Sequence, residues 1–200
     1  MSTHSTGTSR YLCSRVRRQN MYAYAEQRYD SQKAYGVHGG LICTPVSTLV
    51  ACQFMKQVPL TEHTVRQCMV LAHRLYNERF ARKGHMMLMV EDLLTLFPPE
   101  RRYQEVAGCV ADTSHQWEVE GMKVKPLLAL LEEMRHSRTR CAAVITMNSH
   151  TEAYMFEKDG GTWHVFDPLP ASMRTYAAPV SIERVLGHLP EKLQYSGIIL

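Results

Sequence analysis

The stretch Gly39-Gly40-Leu41-Ile42-Cys43-Thr44-Pro45-Val46-Ser47 sets a cysteine between a glycine pair and the start signals of a helix. Thr44 suits an N-cap, and Pro45 suits the first helical position, where a missing N–H costs nothing. Val46, Leu49, Val50, Phe54 and Met55 follow at helical spacing and predict an apolar stripe. Cys43 is therefore expected at the N-terminus of a helix that runs into the core. Free N–H groups and the positive end of the helix dipole lower a thiol pKa there, which suits a nucleophile. The same stretch also fits a buried cysteine in a turn. Cys13, Cys52, Cys68, Cys109 and Cys141 lie far apart with no Cys-x-x-Cys pair, so neither a disulfide scaffold nor a zinc finger is supported. Cys52, Cys68, Cys109 and Cys141 fall in apolar patterns and read as core residues in a reducing compartment.

A hairpin supplies the second half of the chemistry. Two strands are predicted over 152–157 and 162–167, around the turn Lys158-Asp159-Gly160-Gly161. A turn centred there pairs residues whose numbers sum to roughly 318–320. Asp167 then falls close to opposite His150, at the same end of the hairpin. A carboxylate beside an imidazole fixes its tautomer and favours the imidazolium. Taken singly, His150 also reads as an exposed strand-start histidine, and Asp167-Pro168 as a strand end; their joint order and spacing make them candidates. His164 alternates with Val165 and Phe166 and is expected on a solvent face, while Trp117 and Trp163 read as packing. His63, His73 and His85 lack metal-ligand spacing, so no metal or cofactor is expected.

The elements that must position these residues follow from length and pattern. Two hundred residues suit one domain with a sizeable core. Residues 1–20 carry Arg10, Arg15, Arg17 and Arg18 and no acid, and are expected to form a disordered basic leader. Outside them 19 basic residues face 19 acidic ones, so residues 21–200 form a neutral domain with no nucleic-acid face expected. No apolar run reaches the roughly 18 residues of a membrane span, and no signal-peptide pattern opens the chain. An intracellular protein, cytoplasmic or nuclear, is expected. Residues 21–42 read as irregular, followed by helices at about 44–57, 61–82 (capped by Thr61) and 88–97. The methionines at 86–89 read as core filler. A short strand at about 105–111, a helix over 127–134 after Pro126, and a buried strand over 141–147 come next. A short helix near 181–188 and a last strand over 193–200 complete an α+β layout, an N-terminal helical part packed on a C-terminal antiparallel sheet.

These residues carry a family resemblance. His150-Thr151-Glu152-Ala153-Tyr154, Asp159-Gly160 and Trp163-His164-Val165-Phe166-Asp167 resemble the His box of ubiquitin-specific proteases, within the papain-like cysteine peptidase fold. Gln32, Tyr35-Gly36, Gly39 and Cys43 resemble the entry of the herpesvirus large tegument protein deubiquitinase domain. Pro126-Leu127-Leu128-Ala129-Leu130-Leu131, the strand at 141–147 and Phe166-Asp167-Pro168 resemble its later segments. In the tegument enzymes the catalytic His lies two residues after the Asp, where this chain has Leu169. The ubiquitin-specific order, with His150 before Asp167, must then apply. The resemblance implies a thiol peptidase or isopeptidase acting on ubiquitin or a ubiquitin-like tail, in a host cell or a virion tegument. It implies Cys43 as nucleophile, His150 as general base and acid, and Asp167 as the group that orients His150. It also implies an oxyanion donor upstream of Cys43; Gln32 is the choice, with His38 and Gln27 left open. The alternative is a catalytically inactive papain-like module with a binding or structural role.

Overall fold

The computed structural model describes residues 25–81, 84, 87–94, 103–112, 121–137, 140–187 and 189–200. The basic leader at 1–20, Cys13, His85, Met86 and Trp117 lie outside them. The elements in chain order are β1 (Ala25–Arg28), α1 (Cys43–Met55), α2 (Glu62–Arg79), α3 (Glu91–Leu94), β2 (Gln104–Cys109), β3 (Lys123–Val124), α4 (Leu127–His136), β4 (Cys141–Met147), β5 (His150–Glu157), β6 (Thr162–Asp167), β7 (Ser172–Tyr176), α5 (Ile182–Val185) and β8 (Gln194–Ile199). Short 3₁₀ turns at Gln32–Tyr35 and Gly39–Leu41 lead into α1. The layout is α+β.

One eight-stranded sheet, ordered β1-β7-β6-β5-β4-β8-β2-β3, runs through the molecule. Its pairs are antiparallel except β2 with β3, which is parallel. The expected sheet was C-terminal and wholly antiparallel; it also recruits β1, β2 and β3 from the first two thirds of the chain. β7 and β1 were not expected either. β1 is exposed along its length, and its Ala-Glu-Gln-Arg sequence has no strand pattern. It forms because the edge of β7 offers unpaired backbone groups, from Ala25↔Thr175 to Arg28↔Ser172.

Both faces of the sheet are covered. Ala142 and Val144 of β4, with Ala153 and Met155 of β5, join Val46, Val50, Phe54, Val65 and Met69 of α1 and α2 in one core. The alternate residues Cys141, Ala143, Ile145, Tyr154 and Phe156 join Leu127, Leu130, Leu131 and Met134 of α4 in a second. β4 and most of β5 are therefore buried on both sides, with opposite sides facing different helices. This corrects the expectation for His164. It alternates as read, but its face is covered by α1, and its ring lies 5.9 Å from Phe54. The Met cluster is also corrected: Met87 and Met89 are exposed, and Leu88 between them is buried.

The helices follow their local signals. Thr61 caps α2, its hydroxyl accepting from the Thr64 N–H at 3.3 Å, and Val65, Cys68, Met69, Ala72 and Tyr76 face inward as their spacing predicts. Pro126 precedes α4 as expected. Helix α1 begins at Cys43, with Ile42 rather than Thr44 at the cap position. Pro45 is tolerated at the third residue because a backbone N–H at that position would have no partner within the helix. Among the described residues no helix is long and apolar enough to cross a membrane.

Leu127, Leu130 and Leu131 are fully buried under the sheet while Leu128 is half-buried. Leu130→Ala is expected to lower unfolding free energy by about 2–5 kcal/mol in urea denaturation. Leu128→Ala should cost clearly less, and equal costs would contradict this packing.

Candidate active site

The β5–β6 register fixes the first pair. Ala153↔Phe166 and Glu157↔Thr162 both sum to 319, as the turn predicted. His150 and Asp167 emerge at the same end of the hairpin, and His150 Nε2 donates to Asp167 Oδ1 at 2.8 Å. The same oxygen accepts the Leu169 backbone N–H at 3.0 Å, so the carboxylate is held from two sides. With Nε2 committed to Asp167, Nδ1 is the ring nitrogen left to face a thiol.

Helix α1 brings that thiol. Its first turn is pinned to β5 by a chain of hydroxyls: Thr146 Oγ1 to Thr151 Oγ1 at 2.9 Å, Thr151 Oγ1 to Thr44 Oγ1 at 2.8 Å, and Thr44 Oγ1 donating to the Leu88 carbonyl. Ser47 Oγ donates to the Thr151 carbonyl at 2.9 Å. Thr44 thus spends its hydroxyl on tertiary contacts instead of capping its own helix. Thr151 follows His150 directly, so locking α1 onto Thr151 sets Cys43 against the His150 ring. Each side chain favours the other's charged form.

The electrostatics favour the charged forms of Cys43 and His150. Burial alone would push the Cys43 thiol up, but contacts with His150 and the Thr151 backbone outweigh it and leave the pKa lowered. His150 loses basicity to burial and regains more from Asp167 and then Cys43, so its pKa rises to about 10. Asp167 is likewise pushed up by burial and pulled further down by His150, ending below the ordinary carboxylate range. The His150 contribution to folding is thus complete below the ordinary imidazole range and lost as pH rises through about 10. Burial holds other thiols the opposite way: Cys68 is pushed up to about 12 and Cys141 to about 11.

The three residues considered as oxyanion donors part company. Gln27 is exposed on β1, and His38 is engaged by Asn77 Oδ1 at 2.7 Å. Gln32 is buried, and among the described residues its Oε1 has no hydrogen-bond partner. Its 3₁₀ turn is tied to the far side of the site, because Ser31 Oγ donates to the Leu169 carbonyl at 3.1 Å. Gly39 packs directly on the Gln32 backbone, where a Cβ would collide with the Gln32 carbonyl oxygen. The turn carrying Gln32 therefore adjoins the loop that enters Cys43.

Sequence reasoning missed Thr151, Glu152 and Arg174. Among the described residues, His150, Glu152 and Asp167 form the one group whose ligating atoms cluster, within 4.8 Å. Those atoms already have protein partners: Tyr154 Oη donates to Glu152 Oε2 at 2.6 Å, and Arg174 lies 3.5 Å from Oε1. Alternation of Glu152 with Ala153 and Tyr154 was the available signal for a buried carboxylate.

No protein-family model matches the sequence, and no curated protein does. Among solved structures, the chain resembles the ubiquitin-specific protease encoded by murine cytomegalovirus tegument protein M48, solved in complex with a ubiquitin-based suicide substrate. The TM-score is 0.64 at 15% identity, over 88% of this chain and 84% of that one. This is the papain-like cysteine peptidase fold. The Pseudomonas avirulence protein AvrPphB also matches, with a TM-score of 0.41 and 13% identity over 85% of this chain and 100% of that one. On the likeness to the M48 protease, the papain-like resemblance read from the sequence holds for the fold.

The lowered thiol pKa and the raised imidazole pKa both favour the charged forms of Cys43 and His150. Small-molecule alkylation of Cys43 is expected to be fast at neutral pH, to rise below the ordinary thiol range, and to change again near pH 10 as His150 loses its proton. His150→Ala should move Cys43 reactivity to more alkaline pH. Labelling of Cys43 no faster than Cys68, followed by mass spectrometry, would contradict those charged forms.

Proposed function

We propose that this chain is a cysteine peptidase or isopeptidase that cleaves after the C-terminal tail of ubiquitin or a ubiquitin-like protein. The observation that carries the reading is the meeting of Cys43, at a helix N-terminus, with a His150 held by Asp167. Cys43 attacks the carbonyl carbon as thiolate, and the tetrahedral oxyanion takes hydrogen bonds from the Cys43 backbone N–H and the Gln32 side-chain amide. His150 then gives its proton to the leaving amine, leaving a thioester on Cys43. Water attacks the thioester, His150 accepts its proton, and the thiolate is restored as the acid departs. Asp167 keeps Nδ1 of His150 aimed at sulfur throughout.

The tail-like substrate rests on two supports. One is the similarity in fold to a protease solved with a ubiquitin-based suicide substrate. The other is Gly40 in the entry to Cys43, with open space where a side chain would stand. One observation favours a second reading: Cys43 is only 3% exposed, as suits an inactive binding module whose site stays closed.

Ubiquitin bearing a C-terminal electrophile separates the two. A covalent adduct mapped to Cys43 is expected, lost in Cys43→Ala and His150→Ala. Gln32→Ala should slow its formation by about 10²–10³-fold, the usual effect of removing one oxyanion donor. A Cys43 inert to both this probe and small alkylators would support the binding module. A Cys43 reactive only to small alkylators would retain the hydrolase and remove ubiquitin.

A further inference from the structure

The hairpin that pairs His150 with Asp167 brings a second carboxylate to the same place. Continuing the register one step past Ala153↔Phe166 sets Glu152 across from Asp167. Glu152 is 3% exposed, and its carboxylate, that of Asp167 and a ring nitrogen of His150 lie within 4.8 Å of one another. Two carboxylates this close resist ionising together, and one keeps a proton unless a cation compensates. The nearby cation is Arg174 on β7, paired across from Val165, with its side chain 16% exposed and Nη2 3.5 Å from Glu152 Oε1. A guanidinium does not titrate in this range, so its charge is always present.

We propose that Arg174 is a positioning residue: it compensates Glu152 so that Asp167 stays ionised against His150. The inference rests on the Cys43–His150–Asp167 reading above. Arg174 acts through Asp167 and touches no substrate. The titratable groups that face this cluster are Cys43 from α1, Tyr154 on β5, Asp167 on β6 and Tyr176 beside Arg174 on β7. Burial pushes Glu152 up and Asp167 pushes it further, while Arg174 draws both carboxylates back down. Remove the guanidinium and the two carboxylates must share a proton. A proton shared with Glu152 weakens the negative charge that Asp167 turns to the imidazolium, and thiolate formation at Cys43 moves to higher pH.

The test is the pH profile of Cys43 alkylation in Arg174→Met, Arg174→Lys and the double variant Arg174→Met/Glu152→Gln, each checked for folding by thermal unfolding. Arg174→Met is expected to raise the acidic limb by about 1–3 pH units. Arg174→Lys, which keeps the charge, should shift it less. The double variant should return it toward wild type, because the competing carboxylate is gone. A merely structural arginine would lower stability without moving the limb, and deleting a carboxylate would not rescue it. If Arg174→Met does not fold, Glu152→Gln alone decides: it should lower the limb, and an upward shift overturns the proposal. An unmoved limb in folded Arg174→Met, or a double variant no better than the single, also overturns it. A wild-type Cys43 with an ordinary thiol profile would instead overturn the Cys43–His150–Asp167 reading, and this inference with it.

Discussion

The hydrogen bond from His150 Nε2 to Asp167 Oδ1, 2.8 Å long, depends on a register shared by the whole β5–β6 hairpin. A slip of one residue would turn every β6 side chain to the opposite face and carry Asp167 away from His150. Both faces of these strands are buried, so a slip would also exchange the residues of two separate cores. Core packing therefore fixes the register, and the register fixes the chemistry. Fully buried Trp163, Val165 and Phe166 lead the strand directly to Asp167.

The thiol reaches this pair by a different route. Helix α1 lies on the other strand face, and the Thr146–Thr151–Thr44 hydroxyl chain fastens its first turn at the sheet end where His150 stands. Hydroxyls suit this job because each both donates and accepts, so a buried chain can be satisfied from Thr146 to the Leu88 carbonyl. The result is a buried cluster in which charges support one another. Cys43 and His150 each favour the other's charged form, Asp167 favours the imidazolium, and Arg174 stands beside Glu152 behind them.

The parts legible in the sequence were those set by local rules. Gly161, at φ 58°, closes the hairpin turn where the glycine pair predicted it, and the register followed to within a residue. The Thr61 cap and the inward stripe of α2 were read from spacing, as were the buried run of β4 and the placement of Cys43 at a helix start. What was not legible was set by distant partners. The Ala-Glu-Gln-Arg strand β1 exists because β7 has a free edge, and Thr44 fails as a cap because Thr151 and Leu88 claim its hydroxyl. His164 was assigned to solvent because alternation shows that faces differ but not what covers them. Gln32 was chosen on the resemblance alone, with His38 and Gln27 open; the fold buries Gln32 and leaves Gln27 exposed and His38 bound to Asn77. Arg174 lies 22 positions beyond Glu152 with no spacing rule to join them.

On the proposed mechanism, Asp167 and Cys43 together hold His150 as an imidazolium in the resting protein. Nitrogen-15 chemical shifts of the His150 ring, recorded near pH 8, test it directly. Both ring nitrogens are expected to be protonated, with the proton lost only as pH approaches 10, and a shift toward neutral imidazole is expected in Cys43→Ala. A His150 that is already neutral near pH 8, titrating in the ordinary imidazole range and unchanged by Cys43→Ala, would contradict it.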